Sequence, residues 1–170
     1  MTGMTGVTAY IALGANLDDP VAQVTAGCAA LAALPRTRLL ACSSLYRTAP
    51  VGYADQPDFI NAVAAVETTL NPRELLDQLL ATELKHGRVR KFANAPRTLD
   101  LDVLLYGDVE LHEDGLTIPH PRLHERAFVL VPLAEIAPHC VVPGHGAVGE
   151  LLRAVRAEDA VRLGTAEKAA

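Results

Sequence analysis

Asp100-Leu101-Asp102 places two carboxylates two residues apart, and on a β-strand residues at that spacing point to the same face. Leu99, Leu101 and Val103 point the other way, which pins the register to a buried face. Two anionic oxygens on a rigid strand are what Mg²⁺ accepts, with its other positions left to water and phosphate oxygens. Two solvated acids on a half-exposed strand satisfy the same pattern, so the neighbours must decide. Arg97 lies three residues before Asp100, at the end of a segment, 85–97, with five Lys or Arg residues and no acid (Lys85, Arg88, Arg90, Lys91, Arg97). Guanidinium groups grip phosphate oxygens bidentately, so carboxylates for a metal beside these donors form a polyphosphate clamp. The chain lacks a GxxxxGK[ST] loop, a GxGxxG after a strand, and the protein-kinase catalytic motifs, so a nucleotide site here is of another kind.

Other residues fit around that clamp. His120 and Arg126 read as further phosphate donors, or as ordinary surface residues. His120 and His124, four apart, have neither the adjacent Glu nor the third ligand that zinc requires. Aromatics are few: four Tyr, three Phe and no Trp. Phe59 and Asn61 share one strand face, giving a stacking surface beside an amide that both donates and accepts, which suits a flat heterocycle. Phe59 and Phe128 also fit as plain core residues. On residues alone three readings stand: a magnesium-dependent transferase acting on a nucleotide, a nucleotidyl transferase attacking the α-phosphorus, and a binding module that holds an anion without turnover.

The composition narrows the setting. A chain of 170 residues favours one domain, here 1–170 with frayed ends at about 1–6 and 158–170. The net charge of −5 argues against a general nucleic-acid surface, and outside the basic segment 10 bases face 20 acids. One compact basic segment on an acidic body suits a small polyanion. No apolar run approaches the ~18 residues of a membrane span. Met1–Gly6 lacks the marks of a secretory leader, and three scattered cysteines (Cys28, Cys42, Cys140) fit reduced thiols, so a cytoplasmic protein is expected.

The positioning elements follow from period and punctuation. Thr8–Leu13 reads as a strand with a turn at Gly14-Ala15-Asn16. Asp19-Pro20 opens a helix carrying Val21, Val24, Cys28 and Leu31 on one face, ended by Pro35. Leu39–Arg47 and Phe59–Thr68 read as strands around a long loop, Thr48–Asp58. Asn71-Pro-Arg-Glu74 opens a second helix, with Leu75, Leu76, Leu79 and Leu80 as its apolar face and Gly87 at its stop. Arg88–Pro96 reads as a loop, Thr98–Tyr106 as a strand, and Gly107-Asp108 as its turn into Val109–His112. Helices are expected near Ala127–Ile136 and Val148–Arg156. The class is α+β, helices packed on a largely antiparallel sheet.

Taken together, these stretches resemble the 6-hydroxymethyl-7,8-dihydropterin pyrophosphokinases over roughly residues 8 to 152. The resemblance rests on Ala9-Tyr-Ile-Ala-Leu-Gly-Ala-Asn16, Ser44-Leu-Tyr-Arg-Thr48, Asp55-Gln-Pro-Asp-Phe-Ile-Asn61, Gly87-Arg-Val-Arg90, Ala95-Pro-Arg-Thr-Leu-Asp-Leu-Asp102, Pro119-His120 and Arg126-Ala-Phe128. It implies a ferredoxin-like fold and transfer of diphosphate from ATP to the pterin hydroxymethyl group, releasing AMP, in folate synthesis. It further implies two Mg²⁺ ions on Asp100 and Asp102, with Asp102, Arg88 and Arg97 catalytic. ATP would be held by Glu83, Arg88, Arg90, Arg97, Thr117, His120 and Arg126. The pterin would be held by Thr48, Pro50, Val51, Phe59, Asn61 and Phe128. ATP and the pterin are the expected partners, with no nucleic acid or membrane, and a monomer is expected. The chain departs from some members in the Trp-less stretch Phe92-Ala-Asn-Ala95, in Gly115 where they have Arg, and in Pro121 where they have Tyr.

Overall fold

The computed structural model describes residues 6–50, 55–86 and 98–165. Strand β1 (Val7–Ala15) buries Ala9, Ile11, Leu13 and Ala15 on one face, the two-residue period of a packed strand. It runs on through the stretch expected to turn at Gly14, because Gly14 is paired on both sides, with Asn61 and with Asp100. Helix α1 (Pro20–Ala32) starts as expected: Asp19 in the left-handed region (φ 62°) accepts the Ala22 amide at 3.3 Å, and Pro20 opens the helix. Val24, Cys28 and Leu31 are buried and Val21 packs partly against them.

Where one strand is expected over Leu39–Arg47, there are two, β2 (Thr37–Cys42) and β3 (Ser44–Thr48). The break is at Ser43. Its amide donates to the Val63 carbonyl at 2.8 Å and its hydroxyl accepts the Val63 amide at 2.9 Å, so a side chain replaces a backbone partner. Both strands pair with β4 (Phe59–Thr68), β2 along 64–68 and β3 along 59–61. Helix α2 (Pro72–Lys85) begins with a complete capping box. The Asn71 side chain accepts the Glu74 amide, and the Glu74 carboxylate accepts the Asn71 amide, each at 2.8 Å. Leu75 and Leu79 are fully buried, each worth about 1.5–3 kcal/mol. Leu80, expected beside them, is 40% exposed; five residues on from Leu75 it is turned well away, and Thr82 and Glu83 take the buried side.

Strand β5 (Asp100–Tyr106) pairs antiparallel with β1. After the turn at Gly107-Asp108, β6 (Leu111–Glu113) pairs with β7 (Leu116–Ile118). Helix α3 spans the expected Ala127–Ile136. A small ribbon, β8 (Val141–Val142) with β9 (Gly146–Ala147), leads into α4 (Val148–Leu152), which stops four residues short of the expected Arg156. The fraying expected from residue 158 is corrected too: β10 (Val161–Thr165) pairs antiparallel with β3 at the sheet edge.

The main sheet order is β10-β3-β4-β1-β5, with β2 also beside β4, and every pairing is antiparallel. Without β10 this is the split βαβ arrangement of ferredoxin-like folds. Helices α1 and α2 cover one face over Ile11, Leu13, Leu101 and Val103. Helix α3 and α4 cover the other over Val63, Leu104 and Leu105. That second layer is incomplete. At the Asp100 end it leaves the sheet open.

Candidate active site

The register across the sheet assembles the site. Asn61, Gly14 and Asp100 stand in one row on β4, β1 and β5; Val63, Ala12 and Asp102 stand in the next. Residues paired across strands share a face, so Asn61 and both carboxylates point to the side that α3 leaves uncovered. There they line a cavity of ≈ 280 Å³. Asp100 is buried and Asp102 half-buried. Between Asn61 and Asp100 there is no side chain, because Gly14 has none.

The walls come from three further segments. Phe59 at the start of β4 and Phe128 on the first turn of α3 both line the cavity, with Thr48 from the end of β3. The Asn61 amide donates to the Thr48 hydroxyl at 2.7 Å, which fixes its orientation and turns its oxygen toward Gly14. One imidazole and two guanidinium groups arrive after β7: His120, Arg122 and Arg126 all line the same cavity. The His120 amide donates to the Leu104 carbonyl at 3.0 Å, tying this segment to β5. The Arg126 guanidinium lies 5.4 Å from the centre of the Phe128 ring, a cation–π distance. One cavity thus brings together two carboxylates, an imidazole, two guanidinium groups, two aromatic rings and a fixed amide.

Not every expected residue is there. Thr117 lies on β7, whose neighbours Leu116 and Ile118 are buried, and it does not line the cavity. Glu83 is buried behind β5, where its carboxylate accepts the Leu101 amide at 2.7 Å. That bond holds the edge strand between its two aspartates. Pro50 lines an adjoining hollow with Thr48, Arg126 and Phe128. Val51, Arg88, Arg90 and Arg97 lie outside the described residues, as does the loop expected over Arg88–Pro96.

Comparison with known proteins decides what this arrangement belongs to. The family model described as 7,8-dihydro-6-hydroxymethylpterin-pyrophosphokinase (HPPK) matches residues 10–138. The chain is 49% identical over 147 residues to the 2-amino-4-hydroxy-6-hydroxymethyldihydropteridine pyrophosphokinase of Haemophilus influenzae, covering 86% of this chain and 92% of that one. It is 49% identical over 154 residues to the same-named protein of Pseudomonas aeruginosa, covering 91% and 95%. The chain belongs to the HPPK family. Among solved structures, Plasmodium falciparum HPPK-DHPS A437G matches with a TM-score of 0.68 at 15% identity, over 88% of this chain and 45% of that one. This chain spans less than half of the Plasmodium protein, and that likeness speaks for the fold alone, a ferredoxin-like α+β one.

The electrostatics of this HPPK site set the state of His120. Burial, then the neighbouring Arg126, hold its imidazole down to about 4, outweighing the pull of Asp100; Arg122 adds to the lowering. At neutral pH the ring is uncharged. Its Nδ1 accepts the Arg122 amide at 3.2 Å, so the proton sits on Nε2, which is a neutral donor. A pKa below the unfolded value means the unfolded chain binds more protons between about 4 and the usual 6.5. Stability contributed by the neutral ring is therefore complete above 6.5 and is lost as pH falls toward 4. Discounted for the solvent that reaches the ring, this amounts to about 1–2 kcal/mol. His120→Gln is expected to flatten the decline in melting temperature across that range, and a decline as steep as the parent's would contradict the assignment.

Residue-by-residue reading missed several contributors. Arg122 lines the cavity, but an isolated Arg between His120 and Arg126 gave no spacing signal. Gly14 could have been found, because glycine inside a strand marks close approach of another group. The metal expectation can be tested against the donors present. Asp100 and Asp102 supply only hard oxygens, from one strand face, into a cavity that Arg122 and Arg126 also line. That set fits Mg²⁺.

Proposed function

We propose that this chain transfers the terminal diphosphate of ATP to the hydroxymethyl oxygen of 6-hydroxymethyl-7,8-dihydropterin, releasing AMP, as a step of folate biosynthesis. The hydroxymethyl oxygen bonds to the β-phosphorus as the bond from that phosphorus to the α–β bridging oxygen breaks; the hydroxyl proton is lost. The observation that carries this reading is the meeting, in one cavity, of the Asp100–Asp102 pair, the His120, Arg122 and Arg126 donors, and the Phe59, Asn61 and Phe128 set.

The residues divide the work. Asp100 and Asp102 would hold two Mg²⁺ ions, which when bound supply Lewis-acid neutralisation of the phosphate oxygens. Asp102, Arg88 and Arg97 form the catalytic set, the two arginines acting on charge that develops on the transferred group. Neutral His120 donates from Nε2, and Arg126 and Arg90 bring charge to the triphosphate. Arg122 joins them on its cavity position. Glu83 acts from behind, keeping β5 straight through its bond to the Leu101 amide, and Thr117 contributes from the β6–β7 ribbon. Phe59 and Phe128 flank the pterin ring while Asn61, held by Thr48, reads its donor–acceptor edge together with Pro50 and Val51. Among the described residues no helix is long and apolar enough to cross a membrane. We place the reaction in the cytoplasm, carried out by a monomer on two small-molecule substrates.

A flat ring with a polar edge needs both kinds of contact. Stacking adds about 0.5–1.5 kcal/mol beyond area burial, and an unmet buried polar group costs about 1–3 kcal/mol. Asn61→Ala and Phe128→Ala are each expected to weaken binding of the reduced pterin by about fivefold or more, with a non-hydrolysable ATP analogue bound as before. Titration of both ligands against both variants checks this. Unchanged pterin binding would put the ring elsewhere.

A further inference from the structure

Glu135 stands on the last turn of α3, away from the cavity, and the chemistry above does not use it. Its carboxylate is nevertheless held by several donors of β3. It accepts the Ser44 amide at 3.0 Å on each oxygen, the Ser44 hydroxyl at 2.9 Å and the Tyr46 hydroxyl at 2.7 Å. Arg162 of β10 lies 3.8 Å from it. Burial first, and then this carboxylate, push the Tyr46 phenol well above its ordinary range. A negative charge near a helix C-terminus is opposed by the helix dipole. The strand donors outweigh that local cost, so the placement belongs to tertiary structure and not to helix formation.

What the carboxylate holds in place follows from helix and strand geometry. Phe128 and Glu135 are seven residues apart, nearly two full turns, so they project from almost the same side of α3, about 10 Å apart along its axis. Ser44 and Thr48, the two ends of β3, are separated by about 13 Å. One side of α3 therefore meets one strand at two places: Glu135 on Ser44 and Tyr46, and Phe128 beside Thr48 at the cavity. Between them Pro132 lies inside the helix, where it has no amide hydrogen to donate, so the helix's own ladder is interrupted. A helix weakened in its middle needs an outside tie to keep its axial position.

We infer that Glu135 is a positioning residue for the flat substrate: it fixes where α3 sits along β3, and so where Phe128 stands relative to Thr48, Asn61 and Phe59. This rests on the pterin reading of the cavity. Glu135→Gln removes the charge and leaves one carbonyl oxygen, too few to serve the Ser44 and Tyr46 donors together. Tyr46→Phe removes a single donor while keeping the ring, and serves if the first variant folds poorly. Fluorescence titration is expected to show reduced-pterin affinity down about tenfold in Glu135→Gln and about threefold in Tyr46→Phe. Binding of a non-hydrolysable ATP analogue is expected to stay at the parent value, and the double variant to be no weaker than Glu135→Gln alone. Restoring the carboxylate on a shorter stem, Glu135→Asp, is expected to recover part of the loss. Parental pterin affinity in folded Glu135→Gln and Tyr46→Phe proteins overturns the positioning role. Equal loss of both ligands, in step with a lowered melting temperature, overturns it too and leaves only a structural tie. A parent protein that binds no reduced pterin overturns both this inference and the reading it rests on.

Discussion

Asp102→Ala is expected to lower turnover by a factor on the order of 10³, the scale on which a single group that stabilises transition-state charge acts. The ligand-free protein is expected to keep or slightly raise its melting temperature. The two effects separate for a physical reason. Asp100 and Asp102 stand two residues apart on one face of β5, among a core that is otherwise apolar on the opposite face. Bringing like charges together there opposes folding, and a bound cation turns the pair to advantage. Asp100→Ala is expected to behave alike, with the magnesium concentration for half-maximal rate raised in whichever variant retains measurable activity. Steady-state rates at saturating substrates, beside melting curves without them, make the comparison. Near-parental turnover in Asp102→Ala would remove the carboxylate pair from the mechanism.

The second large effect is expected at Gly14, a residue with no chemistry of its own. A Cβ built there would lie 2.9 Å from the Asn61 side-chain oxygen, closer than such carbons come in proteins. Asn61 cannot simply swing away, because its amide is bonded to Thr48 at 2.7 Å. Gly14→Ala therefore forces a choice between breaking that bond and bending β1 between β4 and β5. Either displaces the amide proposed to read the substrate edge, at a cost of about 1–3 kcal/mol in stability. Pterin affinity is expected to fall by roughly ten- to a hundredfold, the equivalent of one buried polar partner lost. ATP-analogue binding, proposed above to rest on other residues, is expected to change much less. Gly14→Ala with parental pterin affinity would show that Asn61 is not the partner.

What the sequence made legible was what short periods and local punctuation encode. The two-residue period put Asp100 and Asp102 on one face, and β4 and α3 fall where alternation and apolar run place them. The caps at Asp19 and Asn71 were readable because a cap is a contact between residues three apart. Pairing was not legible, since it is decided by residues far away. Val161–Thr165 reads as a tail until β3 supplies its partner, and Ser43 reads as mid-strand until its hydroxyl meets Val63. Gly14 looks like a turn in isolation and becomes mid-sheet only when β4 and β5 flank it. The site shows the same division. The two-residue period put Phe59 with Asn61 and Asp100 with Asp102, but the meeting of β4 and β5 across β1 was not readable. Glu83 was assigned by resemblance alone; the structure gives its carboxylate the Leu101 amide, a contact 18 residues away that no motif spells out. Glu135 was invisible for the same reason, since its partners lie on a strand some 90 residues earlier.

The central claim is that the attacked atom is the β-phosphorus and the acceptor a reduced pterin. Incubation of the full chain with ATP, Mg²⁺ and 6-hydroxymethyl-7,8-dihydropterin, followed by separation of nucleotides and pterins, tests it most directly. The expected result is AMP and a pterin diphosphate formed in equal amounts, neither appearing when Mg²⁺ or the pterin is left out. Release of pyrophosphate with the adenylyl group on the acceptor, formation of ADP, or ligand binding that ignores Mg²⁺ and yields no product would contradict it.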